Sequence, residues 1–405
     1  MRSSPMRILL SEGSGLTSRQ VAGRLGALGH EVELLSSTRI CLSRFTRHVR
    51  AVHAVPRFGR DPFGWLAAAE RIAAERSIDL LFPTQEQVTV LSARRPHLRV
   101  ATVVPPFQSL ARVQDKISAY HTLEAVGAPQ PRTFLIATPD DLRDITTYPV
   151  FLKRPVSTAS SGVRRVGNAK ELERVARELG IGRSELIAQV QASGPLAMVQ
   201  AVADRGRLVA HHACLRVREG VGGGASLKES VVLPGLAEML ARLVASLDWH
   251  GGLSMDVIIG DAGPVIIDVN PRLVEPANAF AAGVDLVASM LDVAVGVPVS
   301  EQPAGMVGVR TRQTLLAILG AAEQSGSRSA VLREAIDAIF ARGDYAGSTE
   351  ELTPIAGDPR AALPVLAALG ASLISPSLWR KFHAGAVGPY AVTPEAWAEI
   401  RAAAG

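Results

Sequence analysis

Two cysteines in 405 residues, Cys41 and Cys214, exclude a disulfide framework and a cysteine-rich zinc module. Aromatic residues make up 4% of the chain, too few to suggest a stacking platform for single-stranded nucleic acid. No apolar run approaches the roughly 20 residues that a membrane span requires. The opening MRSSPMRILL has an apolar stretch too short for a signal peptide, so a cytoplasmic protein is expected. Lysine is scarce as well: five of the 43 basic residues, at Lys116, Lys153, Lys170, Lys228 and Lys381, the rest being arginine.

What is present is an ordinary globular balance, 47% hydrophobic and 20% charged. At about 100–200 residues per domain, the length suggests two to four compact units. The net charge of +5 is concentrated in residues 1–100, where 15 arginines face 8 acids. The densest stretch, from Arg39 to Arg60, reads as a solvated face rather than a nucleic-acid surface. Neither nucleic acid nor a membrane is expected as a partner.

The first hundred residues alternate strand-like runs (7–10, 31–35, 51–55, 79–82, 100–104) with amphipathic helices (17–28, 62–76). That alternation predicts an open, mostly parallel sheet. Gly13-Ser14-Gly15 follows the first strand, but Ser18 occupies the third glycine position of a dinucleotide fingerprint. No acid ends the second strand either, so a tight turn onto a helix is preferred to a nicotinamide site. Pro105-Pro106 marks a boundary. Beyond it lie a helix over 108–126, a strand-rich α+β stretch, and a mostly helical segment from about 305 onward.

The sharpest constellation is Met255-Asp256-Val257-Ile258-Ile259, a turn over 260–264, then Val265-Ile266-Ile267-Asp268-Val269-Asn270-Pro271-Arg272. Two apolar strands flanking a five-residue turn predict a hairpin. If Ile259 faces Val265, Asp256 lies opposite Asp268, and alternation puts Asn270 on the same face. Two adjacent carboxylates on an apolar hairpin repel each other unless a cation sits between them. Oxygen ligands in that number suit Mg²⁺ with nucleotide phosphates.

Lys153 ends the apolar run over 148–152 and precedes a loop of small hydroxyl residues over 156–162, a pattern able to fold over phosphates. Lys116, by itself, reads as an exposed helix lysine. Arg216-Val217-Arg218-Glu219-Gly220-Val221-Gly222-Gly223-Gly224 and the following Lys228 read either as a substrate-gating loop or as a surface loop. In the gating reading, Arg216 or Lys228 binds a carboxylate. His211, His212 and Cys214 lack a fourth spaced ligand and read as strand residues, not a zinc cluster.

The order of these pieces resembles the ATP-grasp superfamily, in the branch of the carbamoyl-phosphate synthetase large subunit and amino-acid ligases. The matching segments are Asp115-Lys116, PVFLKRP (149–155) with its loop, LIAQVQASG (186–194), WHGG (249–252) and DVNPR (268–272). The resemblance implies an α/β protein with an N-terminal open parallel α/β domain (1–104). An ATP-grasp domain follows (105–304), with a mobile α+β lid at about 131–195, and a mostly helical C-terminal domain closes the chain (305–405). It further implies that Lys116 and Lys153 contact ATP phosphates, Lys153 also lying near the adenine. Ser157, Ser160, Ser161 and Gly162 cover the phosphates, while Gln189, Val190 and Gln191 form a hinge strand that reads the adenine. Asp256, Asp268 and Asn270 hold two Mg²⁺ ions, and Arg272 steadies the transferred phosphoryl group or the intermediate; on the gating-loop reading of their own segment, Arg216 and Lys228 join the catalytic set. The activity implied is an ATP-dependent carboxylate–amine ligation through an acyl phosphate, releasing ADP and phosphate, with an amino acid or small acid as substrate. An ATP-binding module without ligase activity is the alternative. The C-terminal helices serve either the acceptor pocket or a homodimer interface.

Overall fold

The computed structural model describes residues 4–158, 161–261 and 263–404. Its first unit runs β1 (Arg7–Leu10), α1 (Leu16–Ala27), β2 (Glu31–Ser36), β3 (Val49–Ala54), α2 (Pro62–Glu75), β4 (Leu80–Phe82), α3 (Val88–Arg94) and β5 (Ala101–Thr102). All five strands pair in parallel in the order β3-β2-β1-β4-β5, the open sheet expected from the alternation.

Two helices follow, α4 (Phe107–Gln114) and α5 (Lys116–Ala125), where the sequence predicts one. The break falls at Asp115, whose backbone is extended (φ −102°, ψ 150°). Its carboxylate accepts from the N–H groups of Ile117 (3.1 Å) and Ser118 (2.9 Å), satisfying donors that open the second helix. Lys116 therefore starts a helix instead of lying within one.

A small unit comes next: β6 (Thr133–Ile136), β7 (Val150–Lys153), β8 (Val163–Val166), α6 (Ala169–Leu179) and β9 (Leu186–Val190). Its strands form an antiparallel sheet in the order β6-β9-β7-β8. Asn168 caps the start of α6 and Gly180, at φ 92°, ends it. Leu172 and Val175 of that helix bury against Val150, Leu152 and Leu186, so this unit has a core of its own.

The remaining chain runs β10 (Leu196–Asp204), β11 (Arg207–Glu219), β12 (Ala225–Val231), α7 (Leu236–Ser246), β13 (Gly251–Gly260), β14 (Gly263–Asn270), α8 (Ala277–Ala281) and α9 (Leu286–Ala294). It continues as β15 (Arg310–Arg312), α10 (Thr314–Ser325), α11 (Arg328–Ile339), β16 (Thr349–Glu350), α12 (Ala362–Ile374), α13 (Trp379–Val387) and α14 (Pro394–Ala404). The central sheet has the order β14-β13-β10-β11-β12-β15-β16. Two of its strands, β15 and β16, come from the segment whose sequence reads as helical. They are three and two residues long, too short for a periodic signal. Among the described residues, no helix is long and apolar enough to cross a membrane.

Strand alternation joins these layers. Ile8 and Leu10 of β1 face one side of the parallel sheet and pack with α1, α9 and residues of β10 and β11. Leu9 faces the other side, with Trp65 of α2, Val90 of α3, and Trp397 and Ile400 of α14. The last helix thus returns to the first sheet. Trp397 is 4% exposed, and its ring centroid lies 5.8 Å from that of Phe107. Trp397→Ala should cost about 3–5 kcal/mol of stability. Thermal or urea unfolding checks this, and an unchanged midpoint would show that α14 is not part of that core.

Candidate active site

The hairpin of β13 and β14 carries the two aspartates. Its turn is tighter than the sequence suggests, with Ile259 paired to Pro264 and Gly260 to Gly263. By itself that one-residue shift would set Asp256 opposite Ile267. Ile267, however, is an extra residue: the register jumps from Val257–Ile266 to Asp256–Asp268. The resulting β-bulge restores the carboxylate pair. Asn270 follows two residues later on the same face, so the three oxygen-bearing side chains converge. The bulge also presents the Ile267 carbonyl to Lys153, whose Nζ donates to it at 2.8 Å.

Four charged side chains define this corner, two ammonium groups and two carboxyls. Lys116 Nζ lies 3.2 Å from Asp268 Oδ1. Lys153, 7% exposed, also donates to Gln189 Oε1 at 2.5 Å. Burial lowers the Lys153 pKa to about 8, against the opposing pull of Asp268. Burial, then repulsion from Asp268, pushes Asp256 up to about 7. A carboxyl held that high beside a second carboxylate marks a place where added positive charge is stabilised. No group of three His, Cys, Asp or Glu side chains forms a metal cage among the described residues. Two carboxylates and an amide instead fit Mg²⁺, which takes the rest of its octahedron from phosphates and water.

These groups open on a cavity of about 560 Å³, within the size range of small-molecule sites. Asp256, Asp268, Asn270, Lys116 and Arg272 all line it. So do Glu86 and Gln85, beyond the carboxyl end of β4, and Tyr390, near the C-terminus. Arg272 is 9% exposed and its guanidinium donates to Glu86 Oε1 through Nη2 (3.0 Å) and Nε (3.3 Å). Burial pushes the Tyr390 phenol upward, and the charge of Arg272 opposes that shift. A second, narrow slot of about 20 Å³ lies between the small sheet and β14, bounded by Lys153, Ile187, Gln189 and Ile267.

The other predicted residues divide into those the fold brings to the cavity and those it does not. Ser157 and Thr158 line it, and among the described residues their buried hydroxyls have no hydrogen-bond partner. Ser161 and Gly162 belong instead to the turn between β7 and β8, where Arg154 N–H donates to the Gly162 carbonyl at 2.9 Å. Ser160 lies outside the described residues. Gln189 reaches Lys153, but the N–H groups of Val190 and Gln191 already donate to the carbonyls of Arg132 and Pro149, both at 2.9 Å. Those two donors are engaged within the small sheet and are not available to a base. Arg216 lines the cavity and donates from Nη1 to the Gly223 carbonyl at 2.6 Å. The glycine loop it holds is packed, not loose: a Cβ at Gly220 or Gly224 would meet Leu316 at 2.9 Å, and one at Gly222 would overlap the His383 ring.

Lys228 is the clearest departure from its expected role. It is 0% exposed and does not line the cavity. Its Nζ bonds to Glu275 Oε2 at 2.7 Å and Glu351 Oε1 at 2.6 Å, tying β12 to the turn after β14 and to the residue after β16. Burial opposes the ammonium charge, but the two glutamates outweigh it and raise the pKa. A substrate carboxylate would have to displace both. Lys228→Met should therefore lower stability by about 3–5 kcal/mol, because it strands two buried acids. Chemical denaturation measures this; a variant of parental stability with a raised KM would restore the substrate-binding role.

Sequence reasoning misses Glu12, Glu275 and Tyr390, which no local pattern marks. Glu12 sits in the turn after β1, where its Oε2 accepts from the N–H groups of Ser14 (2.5 Å) and Gly15 (3.0 Å). Burial raises its pKa from 4.5 to about 7 despite these bonds. A folded-state pKa above the unfolded one means the folded chain binds more protons. The associated stability is present below pH 4.5 and disappears as pH rises through about 7. Relative to the parent, Glu12→Gln should gain roughly 1–3 kcal/mol between about pH 4.5 and 8. Unfolding free energies at the two pH values test this, and a difference independent of pH would refute it.

Residues 113–276 match the ATP-grasp domain family. No curated protein sequence matches the chain. Solved structures share its fold at low identity. A biotin carboxylase from Campylobacter jejuni, in a β-γ-ATP complex, is 17% identical with a TM-score of 0.61, covering 76% of this chain and 74% of that one. The N5-carboxyaminoimidazole ribonucleotide synthetase of Thermus thermophilus is 20% identical with a TM-score of 0.58, covering 75% and 81%. An L-amino acid ligase from Bacillus licheniformis is 16% identical with a TM-score of 0.59, covering 76% and 79%. Domain match and motif order agree that residues 113–276 form an ATP-grasp domain.

Proposed function

We propose that this protein is an ATP-dependent carboxylate–amine ligase that works through an acyl phosphate. The observation that carries the reading is the shared cavity: the Asp256–Asp268–Asn270 face, Lys116 and Arg272 border one space large enough for a second reactant. A nucleotide's phosphates would lie over that face. Mg²⁺ held by Asp256, Asp268 and Asn270 would neutralise phosphate charge as it shifts toward the leaving ADP. These three side chains would hold two such ions.

The chain's own residues supply positioning and charge. Lys116, beside Asp268, reaches the phosphate region as a compact ammonium. Lys153 stands at the mouth of the narrow slot, where the adenine would enter once Lys153 and the Ile267 carbonyl part. Ser157 and Thr158 offer hydroxyl donors from the loop after β7. Arg272, held by Glu86, faces the oxygen that is transferred or attacked. A substrate carboxylate oxygen attacks the γ-phosphorus, the bond to ADP breaks, and an acyl phosphate forms. An amine then attacks the acyl carbon, phosphate leaves, and the amine proton passes to solvent. Closure of the small sheet would keep water from the anhydride.

Asp268→Asn should leave the chain folded and abolish ADP release, a loss of at least about 100-fold. Coupled detection of ADP across a panel of acids and amines, with circular dichroism as a fold control, provides the check. Parental turnover in the variant would remove the hairpin from the chemistry.

A further inference from the structure

The cavity continues beyond the aspartate face to a wall of different character. Three separate parts of the chain build it: Leu16 at the start of α1 with Leu42 and Phe45 from the connection between β2 and β3, Leu316 and Leu319 from α10, and Phe382 from α13. Leu316 and Leu319 are 2% and 4% exposed. Leu16, Leu42 and Phe382 pack on the same cluster yet keep part of their surface accessible. The wall is thus fixed from behind by a core and apolar in front.

Away from the aspartate face, three charged residues that border this space have partners, two of the pairs buried and the third, Arg216 with Glu219, partly exposed. Arg272 pairs with Glu86 at 3.0 Å, Glu275 with Lys228 at 2.7 Å, and Arg216 with Glu219 at 3.3 Å. None of these pairs leaves an uncompensated charge to recognise a charged substituent. Lys381 also borders the cavity, but it is exposed, so water screens its ammonium. The narrow slot beside Lys153 is lined by none of these wall residues. A carboxyl group activated at the aspartate face must carry the rest of its molecule across the cavity, because that is where the space lies.

We infer that the acid activated here carries a bulky apolar body, aliphatic or aromatic, seated against Leu42, Phe45 and Leu316. This rests on the ligase reading above. Burial of an apolar group in a preformed pocket discriminates through the area it removes from water, about tenfold or more for each well-packed methylene or methyl. Small acids leave the wall wet, and charged acids bring to it a group that nothing buried there compensates.

The test uses the full chain with Mg²⁺ and ATP. ADP release is measured with leucine, phenylalanine and 3-phenylpropionate against glycine, aspartate and lysine, each with a common amine, and ATP binding is followed separately by calorimetry. The apolar acids should exceed the small and charged ones by at least about tenfold in kcat/KM. Leu42→Lys should reverse part of that preference by raising turnover of aspartate relative to leucine, and Phe45→Ala should weaken the preference for phenylalanine. Equal turnover of all acids, a preference for glycine, aspartate or lysine, or a preference unmoved by both substitutions overturns this inference while the ligase reading stands. Absence of ATP binding, or of ADP release with every acid, overturns the ligase reading and this inference with it.

Discussion

Asp256 and Asp268 oppose one another on adjacent strands, with apolar neighbours behind them and a cavity in front. Burial, and then the neighbouring carboxylate of Asp268, raise the proton affinity of Asp256. The surrounding structure responds to that constraint. Lys116 is brought to Asp268 by a helix that starts at Asp115, and Lys153 is bound to the carbonyl of the bulged residue between them. The hairpin's irregularity sets this geometry: without the bulge at Ile267 the carboxylates would not face each other, and Lys153 would lose its backbone acceptor.

A second set of buried charges holds the parts of the chain around that hairpin. Lys228, Glu275 and Glu351 meet from three distant segments, and Gln313 adds a donor to Glu351 at 2.9 Å. A lysine and two acids at this depth are tolerated because each has a partner; any one charge alone would be costly. Glu275 lies three residues beyond Arg272, so the cluster anchors the chain just past the site. On its other side Arg272 is fixed by Glu86, which belongs to the unit of the parallel sheet. The site is consequently built where several parts of the chain meet. Its cavity takes walls from the N-terminal loops, the central sheet and the C-terminal helices.

Much of this was legible beforehand. Apolar runs alternating with helical periods marked the parallel strands, and the apolar residues around Asp256 and Asp268 marked the hairpin. The opposition of the aspartates followed from an assumed five-residue turn; the structure reaches the same pairing through a tighter turn and a bulge. Two compensating one-residue shifts leave no trace in residue order, which is why the pattern suggested the right pair by a different path. The helix break at Asp115 was carried by a recognisable capping residue, but an apolar periodicity running through it masked the signal. Gln85 and Glu86 follow a parallel strand, at a carboxyl edge where ligands tend to bind, whereas Tyr390 has no local mark at all.

Residue order by itself determined the strand–helix alternation, the placement of lysines in a chain of arginines, and the oxygen-bearing side chains on one hairpin face. These are local properties, set by periods of two or 3.6 residues and by side-chain chemistry. Tertiary structure alone decided that Lys228 is sealed between two glutamates while Lys116 and Lys153 reach the carboxylate face. The three lysines carry the same ammonium, and only long-range packing separates a structural ion pair from one at a cavity wall. It also decided that α14 closes the first sheet and that apolar side chains from three distant segments share one wall. Such contacts join residues hundreds of positions apart, beyond the reach of any local period.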